Sequence, residues 1–416
     1  MNKAPSSRVL FVSNGHGEDD IACKVLDQLR PLVEPGLSIE AWPMVGSGQA
    51  YRDRGIAIAG PSNTLPGEGF GTLSLSLFLR DLRSGFIATH WRQLRYMRAV
   101  QGRYRLLVGV GDIVPLTAAW LGKTPMAFIA CAKSAYYGGL DGQTGAERSL
   151  MRNQCVAVFP RDVRTAEGLI KNGVPCQYLG NPMMDGLMPT NPQRFTGHDT
   201  INIAMLAGSR QDATDNALFL LQAARRLSQT LVQAANLRFL FACHPAVDLS
   251  LVAAAATTLD TGWVQTVWDN QMGPLDDYLC LQNARGSKAL LIRGALADIL
   301  HGAKLVVGLA GTANEQAIGL GIPLVTLPGA GNQGKSYVRM KMRFFGDAAI
   351  AVTRNPDDVA QTVASLLADP ERCKRMAVAG RERMGAPGAS LAIAHVIRDT
   401  LVGPHIPNAK PTDSAR

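Results

Sequence analysis

The chain has 416 residues, which is too long for one ordinary domain and predicts two or three. Apolar residues make up 47% of the sequence and charged residues only 18%, so a disordered chain is excluded and large cores are expected. No apolar run approaches the roughly 20 residues that cross a bilayer, and the run at residues 8–12 is too short for a signal peptide. The net charge of +9 fits an acidic partner, a membrane surface, or solubility alone.

The cysteines are scattered through the chain rather than grouped. They form no C-x-x-C pair, and no His lies near them at metal-ligand spacing. Most fall inside apolar runs, which predicts reduced core residues in a cytosolic protein. No metal site is predicted from Cys23, Cys131, Cys155, Cys176, Cys243, Cys280 and Cys373.

The first predicted strand, Arg8–Ser13, leads into a polar turn rich in glycine, and a helix is predicted over residues 21–29. The turn lacks the third glycine of a dinucleotide fingerprint, so no Rossmann cofactor site is expected. His16 is a candidate base or sugar contact, and a loop side chain with neither role fits the sequence equally well. The turn reads Asn14, Gly15, His16, Gly17, Glu18, Asp19 and Asp20.

A second strand is predicted at residues 39–44, and a mobile loop rich in Gly, Pro and Ser at 60–71. Residues 70–105 then combine apolar side chains at helical spacing with arginines. Such a segment suits an anionic lipid interface, where each cation contributes about 1 kcal/mol. A core helix with a solvated basic face is the alternative, and nucleic acid is disfavoured because no binding module accompanies the arginines. Asp81 is the one acid among Arg80, Arg83, Arg92, Arg95, Arg98, Arg103 and Arg105.

A buried strand predicted at residues 104–110 ends at Gly111 and Asp112. Further strands are predicted at 125–131 and 156–160, and a helix at 161–172. Ligands bind beyond the carboxyl ends of strands in open α/β sheets. Asp112 is therefore the candidate residue for chemistry.

We predict a first domain over residues 1–187, with an insertion near 65–100, and a linker at 188–200. A second α/β domain follows at 201–385, and 386–416 form a C-terminal helix and a frayed tail. In the second domain a strand at 201–206 precedes Gly208-Ser209-Arg210, a candidate phosphate cradle in which Arg210 can bind in a bidentate manner. A helix is predicted at 216–234, and a strand at 237–243 ends at His244. Later in the chain a helix is predicted at 356–367, and one long amphipathic tail at 371–401.

A βαβ unit is predicted from residues 304 to 328. Its helix begins near Thr312, and Gly311 allows a ligand to approach the unpaired backbone N–H groups of the first turn. Asn314, Glu315 and Gln316 would then face the ligand. A βαβ turn with ordinary capping and no ligand fits the same glycine pattern.

Residues 329–336 match the phosphate-loop pattern G-x-x-x-x-G-K-S. A nucleoside triphosphatase would need several further strands after this loop, one with a magnesium-binding Asp, and the remaining sequence offers one convincing strand. We therefore predict that the loop lies beside the Gly311 helix and that Gln333 and Lys335 face the same ligand.

The ligand loops at strand ends in two α/β domains resemble the B-type glycosyltransferases, and more closely the lipid-A-disaccharide synthase family with its branch of related proteins. The similar pieces are residues 174–185, the Gly208-Ser209-Arg210 turn, and Gly311-Thr312-Ala313 twelve residues before Pro323. Residues 108–112 are similar to the segment with that family's proposed catalytic Asp. The family has two acidic residues there, and this chain has Asp112 alone.

The resemblance implies two Rossmann-like domains facing a cleft, in the GT-B architecture. It implies transfer of a sugar from a UDP-sugar to a lipid-linked acceptor, with inversion and with neither metal nor cofactor. Asp112 would be the base, with His16 as the second candidate. The implied donor-binding residues are Gly208, Ser209, Arg210, His244, Gly311, Thr312, Asn314, Glu315, Gln316, Gln333 and Lys335.

The implied acceptor-side loop comprises Asn14, Gly15, Gly17, Glu18 and Asp20. Residues 70–105 would bind an anionic membrane surface, which places the protein peripherally on the inner face of the cytoplasmic membrane. Two rivals remain: a UDP-sugar 2-epimerase, which needs no acceptor, and an inactive nucleotide- or lipid-binding protein.

Overall fold

A computed structural model describes residues 8–62, 86–139, 141–195, 200–209, 212–231, 236–245, 247–258, 262–268, 277–329 and 333–403. The chain divides into two compact units, which are Met1–Asp185 with Ala386–Arg416, and Gly186–Gly385. Most of the predicted loop at 60–71, the first part of the arginine-rich segment and the predicted frayed tail lie outside the described residues.

The first unit contains a parallel sheet of six strands in the order β3-β2-β1-β4-β5-β6. The central strands are buried on both faces, which is why they read as unbroken apolar runs in the sequence. The strands are β1 (Arg8–Ser13), β2 (Ser38–Pro43), β3 (Ala57–Ile58), β4 (Leu106–Val110), β5 (Met126–Ala130) and β6 (Cys155–Pro160).

The second unit contains a sheet of eight strands in the order β14-β13-β12-β7-β8-β11-β10-β9. Among these described strands, β10 runs in one direction and all the others run in the opposite direction. The strands are β7 (Ile201–Leu206), β8 (Leu237–Cys243), β9 (Trp263–Thr266), β10 (Tyr278–Asn283), β11 (Lys288–Arg293), β12 (Leu305–Gly308), β13 (Leu324–Thr326) and β14 (Ala349–Ala351).

Helices connect the parallel strands in both units, as crossover connections require. None among the described residues is long and apolar enough to cross a bilayer. They are α1 (His16–Leu29), α2 (Gln49–Arg52), α3 (Phe86–Ala99), α4 (Ile113–Gly122), α5 (Gly145–Gln154), α6 (Val163–Lys171), α7 (Ala213–Thr230), α8 (Leu249–Thr258), α9 (Leu296–Gly302), α10 (Thr312–Gly319), α11 (Lys335–Phe345), α12 (Pro356–Leu367), α13 (Pro370–Met384) and α14 (Ala389–Val402).

The single amphipathic segment predicted at residues 371–401 is two helices, α13 and α14. Gly385 and Gly388 both have positive φ, at +78° and +111°, which a continuing helix cannot accommodate. The helix α14 is held in the first unit by Asp185, whose carboxylate accepts hydrogen bonds from the backbone N–H groups of Gly388 and Ser390. The chain thus returns to the first unit at its end.

The segment predicted as a linker is attached to the second unit along its first half. Asp298 in α9 accepts hydrogen bonds from Thr190 Oγ1 at 2.7 Å, Asn191 N at 3.0 Å and Arg194 Nη1 at 2.9 Å. His301 Nε2 lies 2.8 Å from the Leu187 carbonyl oxygen. The boundary between the units therefore falls at Asp185. Residues 196–199, in the second half of the predicted linker, lie outside the described residues.

All seven cysteines are free in the structure, and five of them are buried. Burial raises the pKa of the Cys23 and Cys243 thiols to about 12, so neither is a reactive thiolate near neutral pH.

Candidate functional site

In the first unit, the loops that follow β1 and β4 are neighbours because these strands pair directly, with Ser13 opposite Val110. Asn14 follows β1, and Asp112 follows β4 as the N-cap of α4. The Asn14 amide donates to Asp112 Oδ1 at 2.7 Å, and the Val114 backbone N–H donates to the same oxygen at 2.9 Å. Among the described residues, Asp112 Oδ2 has no hydrogen-bond partner, so it is available to a ligand.

Burial raises the pKa of Asp112 above its ordinary value. The Val114 N–H, the Lys133 ammonium and the Asn14 amide oppose that rise, while the nearby Glu147 carboxylate adds to it. A carboxylate that is desolvated yet oriented by hydrogen bonds is the kind of group that serves as a general base.

Gly111 allows the two loops to approach closely. Its φ is +130°, and a Cβ at this position would collide with Asn14 Oδ1 and lie 3.4 Å from Glu18 Cγ. A side chain here would separate Asn14 from Asp112. The glycine before the candidate base is thus required by the geometry of the site.

The polar turn differs from its prediction, because α1 begins at His16 rather than at residue 21. Gly15 is the N-cap, and Gly17, Glu18 and Asp20 lie in the first turns of the helix. The His16 side chain is exposed and packs against Gly46. No hydrogen bond joins it to Asp112 in the described part of the chain, and its role as a base stays a prediction.

An ion pair that sequence analysis missed lies next to Asp112. Lys133, beyond the end of β5, places its ammonium 2.6 Å from Glu147 Oε1, and the Glu147 residue is only 1% exposed. Glu147 also completes a capping box with Thr144 at the start of α5. The T-x-x-E spacing at residues 144–147 could have indicated the capping box. It could not have indicated the contact between Glu147 and Lys133.

A buried polar cluster of Ser13, Asp19 and Tyr51 lies beneath the same loop and was also missed. Ser13 Oγ donates to Asp19 Oδ1 at 2.5 Å and lies 2.8 Å from the Tyr51 hydroxyl. Burial raises the pKa of Asp19 to about 7, against the opposing hydrogen bond from Ser13. Burial also raises the pKa of Tyr51, so this phenol stays protonated.

In the second unit, the turn between β12 and α10 is closed by polar side chains. The Asn314 amide donates to the Gly308 carbonyl oxygen at 3.1 Å, and the Thr326 hydroxyl donates to the same oxygen at 2.9 Å. Gly311 is the N-cap of α10, and Thr312 is its first residue. These bonds hold the helix start at the carboxyl edge of the sheet.

Asn314, Glu315 and Gln316 are buried, with exposed fractions of 2%, 1% and 7%, and so do not face solvent. The Glu315 carboxylate forms an ion pair with the Lys341 ammonium of α11, at 2.5 Å. Sequence analysis missed Lys341, which lies 26 residues away along the chain. Whether Glu315 contacts a ligand stays a prediction.

Side chains from the end of the phosphate-like loop lie at the start of α10. A Cβ built on Gly311 would be 3.2 Å from the Tyr337 hydroxyl and 3.6 Å from Gln333 Nε2. The prediction that the loop lies beside this helix is therefore confirmed for Gln333, and Tyr337 joins it. Lys335 is exposed at the first position of α11.

The remaining predicted donor residues follow β7 and β8 at the same edge of the sheet. Gly208 has φ +92°, and a Cβ there would lie 3.5 Å from the Leu309 carbonyl oxygen, so the loops after β7 and β12 are in contact. Ser209 and His244 are exposed. Arg210 lies outside the described residues. Within the described ranges, no three His, Cys, Asp or Glu residues are grouped so as to hold a metal ion.

No family model matches the sequence. The chain is 25% identical over 243 residues to the lipid-A-disaccharide synthase of Syntrophus aciditrophicus (strain SB), and the match covers 52% of this chain and 56% of that protein. The chain therefore spans about half the length of the curated relative it matches. The predicted resemblance to the lipid-A-disaccharide synthase family is confirmed over this half of the chain, at 25% identity.

Solved structures similar to this one cover nearly the whole chain. They include MnaA of S. aureus with UDP, at 14% identity and a TM-score of 0.58, covering 95% of this chain and 97% of that one. MurG of Acinetobacter baumannii has 18% identity and a TM-score of 0.56, with 94% and 99% covered. UDP-GlcNAc 2-epimerase of Neisseria meningitidis bound to UDP-GlcNAc has 13% identity and a TM-score of 0.55, with 95% and 99% covered. The predicted α/β fold, with two Rossmann-like domains of the GT-B class, is confirmed.

Proposed function

We propose that this relative of lipid-A-disaccharide synthase is a glycosyltransferase that moves a sugar from a UDP-sugar to a lipid-linked acceptor. The observation that carries the proposal is the Asp112 carboxylate, fixed through Oδ1 and open at Oδ2 beyond the end of a central strand. The GT-B fold and the sequence match to a lipid-A-disaccharide synthase support this class of reaction.

The second unit would bind the UDP moiety. The backbone N–H groups at Gly311 and Thr312 can donate to the diphosphate, and the Tyr337 hydroxyl and Gln333 amide lie beside them. Negative charge grows on the diphosphate as it leaves, and these donors with the helix dipole stabilise it without a metal ion. Arg210, Lys335 and the ribose contacts of Glu315 or Gln316 complete the proposed donor site.

The first unit would activate the acceptor. Asp112 Oδ2 takes the proton from an acceptor hydroxyl while the hydroxyl oxygen attacks the anomeric carbon of the donor sugar. The bond from that carbon to UDP breaks at the same time, and UDP leaves from the opposite face. The configuration at the anomeric carbon is therefore inverted.

The donor proposal predicts that UDP stabilises the protein. At a concentration 100 times its dissociation constant, UDP should add about 2.7 kcal/mol to the free energy of unfolding. Gly311→Ala places a methyl group against Tyr337 and should weaken UDP binding about tenfold, as measured by calorimetric titration. Tyr104→Phe, in the first unit, is the control and should leave UDP affinity unchanged. If no uridine nucleotide binds, the donor assignment is wrong.

Turnover is tested by incubating the protein with UDP-sugars and a bacterial lipid extract, followed by mass spectrometry of the lipids. A lipid whose mass rises by one sugar supports the transferase. Conversion of the UDP-sugar without lipid would identify the epimerase instead. UDP-sugar binding without any product would identify an inactive binding protein.

We also propose that α3 binds an anionic membrane surface on the cytoplasmic side. One face of the helix packs into the first unit through Gln93 and Met97, which are 5% and 1% exposed. Trp91 is 64% exposed on the helix, beside exposed Leu94. This arrangement places apolar side chains next to exposed Arg92, Arg95 and Arg98.

Not all the arginines of residues 70–105 are available for lipid. The Arg103 guanidinium donates to the Glu40 carboxylate at 3.1 Å, and Arg105 Nη2 donates to the Gly403 carbonyl oxygen at 3.2 Å. These two side chains stabilise the first unit. The basic surface proposed for the membrane therefore narrows to α3 in the described part of the segment.

The membrane proposal predicts that Trp91→Ala weakens binding to vesicles rich in phosphatidylglycerol by about tenfold or more, because a buried aromatic side chain contributes about 1.5–3 kcal/mol. Vesicle sedimentation measures the effect. Trp120→Ala is the matched control, since Trp120 is 47% exposed on another helix. Equal losses for both variants, or binding that high salt does not weaken, would contradict the proposal.

A further inference from the structure

The proposed mechanism leaves the cluster of Ser13, Asp19 and Tyr51 without a role. The three residues come from the end of β1, the first turn of α1 and the short helix α2, and they are 0%, 2% and 0% exposed. Burying three polar side chains together is costly unless they satisfy one another. A cluster of this kind stabilises one arrangement of the backbone segments that supply it.

The backbone segment that the cluster holds is the turn with Asn14. Ser13 immediately precedes Asn14, and the Ser13–Asp19 hydrogen bond spans six residues, so it closes the turn from one end to the other. The Asp19 backbone N–H donates to the Gly15 carbonyl oxygen at 2.9 Å inside the same turn. The Ser13 carbonyl oxygen accepts from Met44 N at 2.8 Å, which fixes the end of β1 to the end of β2.

The direction of the hydrogen bonds in the cluster follows from its chemistry. Above its pKa of about 7, the ionised Asp19 carboxylate only accepts, so Ser13 donates its single hydroxyl proton to Asp19. The Tyr51 hydroxyl must then donate to Ser13 Oγ. Tyr51 thereby fixes the rotamer of Ser13, and the bond between Ser13 and Asp19 fixes the turn.

We propose that Ser13, Asp19 and Tyr51 are positioning residues that hold the Asn14 amide on Asp112 Oδ1 and so leave Oδ2 for the acceptor hydroxyl. The inference rests on the proposed function in assigning the base to Asp112. The Asn14 contact has little room for error, because Asn14 lies against Gly111 Cα. A turn that moves away by about 1 Å would lengthen the 2.7 Å contact beyond hydrogen-bond range.

Two substitutions test this without removing any charged side chain. Ser13→Ala and Tyr51→Phe each remove one hydroxyl. Ser13→Ala also raises the pKa of Asp19, because the Ser13 hydrogen bond lowers it. A neutral Asp19 would lower the pKa of Asp112, which is opposite to the rise expected from a loosened Asn14 contact.

The charged groups that influence Asp112 most are Lys133 and Glu147, which come from other elements and stay in place. The hydrogen bond from Asn14 favours the ionised carboxylate, so loosening it should raise the pKa of Asp112.

The measurement is carboxyl carbon-13 NMR of Asp112 as a function of pH, assigned by its loss in Asp112→Asn. We expect the Asp112 pKa to rise by about half a pH unit or more in Ser13→Ala, and in the same direction but less in Tyr51→Phe. Asn14→Ala should give the largest rise in the Asp112 pKa. The double variant Asn14→Ala with Ser13→Ala should have nearly the same Asp112 pKa as Asn14→Ala alone. Ser13→Thr keeps the hydroxyl and should restore the wild-type titration.

Matched controls separate positioning from general destabilisation. Tyr104→Phe removes a buried tyrosine hydroxyl that donates to Glu40 at 2.7 Å in the same unit. Ser228→Ala removes a buried serine hydroxyl that donates to the Ala224 carbonyl oxygen at 2.9 Å in the other unit. Both should lower the melting temperature and leave the titration of Asp112 unchanged.

An unchanged Asp112 titration in folded Ser13→Ala and Tyr51→Phe would overturn the inference. If Ser13→Ala does not fold, Tyr51→Phe and Ser13→Thr decide the question. Because the titration needs neither donor nor acceptor, a raised pKa supports the positioning role even if no sugar transfer is found. If the wild-type protein transfers sugar and Asp112 titrates as in the wild type in both variants, the positioning role is refuted. The proposed transferase function would then still stand.

Discussion

Asp112→Asn should lower sugar transfer by about a thousandfold or more, within the range attributed to loss of a general base. The amide can still accept the Val114 hydrogen bond that caps α4, so the fold should be retained. It cannot take a proton from the acceptor. UDP affinity should stay within about twofold of wild type, because the proposed UDP contacts lie in the other unit. Product formation and UDP titration measure the two quantities separately.

Asp369→Asn is the control for this change. Asp369 is also a helix N-cap, accepting from Arg372 N at 2.9 Å, but it is exposed at the start of α13. Its substitution should leave turnover unchanged. If Asp112→Asn keeps wild-type turnover, the base is another residue, and His16→Ala is the next variant to examine.

The pH dependence gives a second test of the same assignment. A base must be unprotonated to act, and burial raises the pKa of Asp112 above its ordinary value of 3.8. Turnover should therefore be low at acid pH and rise as the pH passes through that elevated pKa. A rate that falls over this range would assign an acid role to the group.

Lys341→Met should destabilise the second unit by about 3–5 kcal/mol, the usual cost of removing one member of a buried ion pair. The Glu315 side chain is 2% exposed and the Lys341 side chain 14% exposed, so water screens this pair only weakly. The methionine side chain has similar length and preserves most of the packing. Urea unfolding followed by circular dichroism measures the change.

Two further variants separate charge from packing in this pair. The double change Glu315→Gln with Lys341→Met removes both charges and should recover most of the lost stability. Lys374→Met removes a lysine from an exposed pair with Glu371, whose side chains are 72% and 70% exposed, and should have little effect. Wild-type stability in Lys341→Met would show that the ion pair is not needed.

The parallel strands and several helices were predictable from local sequence. Arg8–Ser13, Ile201–Leu206 and Leu237–Cys243 have the bounds predicted, because strands buried on both faces are short apolar runs. The helix Pro356–Leu367 was equally clear, since Asn355 caps it and a proline occupies its first position. Asp112 could be placed because it is the first polar residue after a buried strand, with only Gly111 between them.

The strands β9 to β11 were not predicted. The sequence pattern is weak only in β9, because β10 and β11 have buried apolar centres. In β9, Val264 is 65% exposed at the edge of the sheet, so apolar character and burial do not coincide. The contacts of Lys341 with Glu315 and of Tyr51 with Ser13 join residues 26 and 38 positions apart. Such pairs depend on how helices pack, which a single sequence does not specify.

The return of the chain to the first unit has a consequence for biosynthesis. Residues 186–385 are continuous and can fold as soon as they leave the ribosome, whereas the first unit needs α14, which Asp185 holds. The first unit thus begins to be synthesised before the second unit, but it is complete only after α14 has been synthesised. A nascent chain that stops at Gly385 would lack this helix, and the surface of α1 that α14 covers would be exposed to chaperones and proteases.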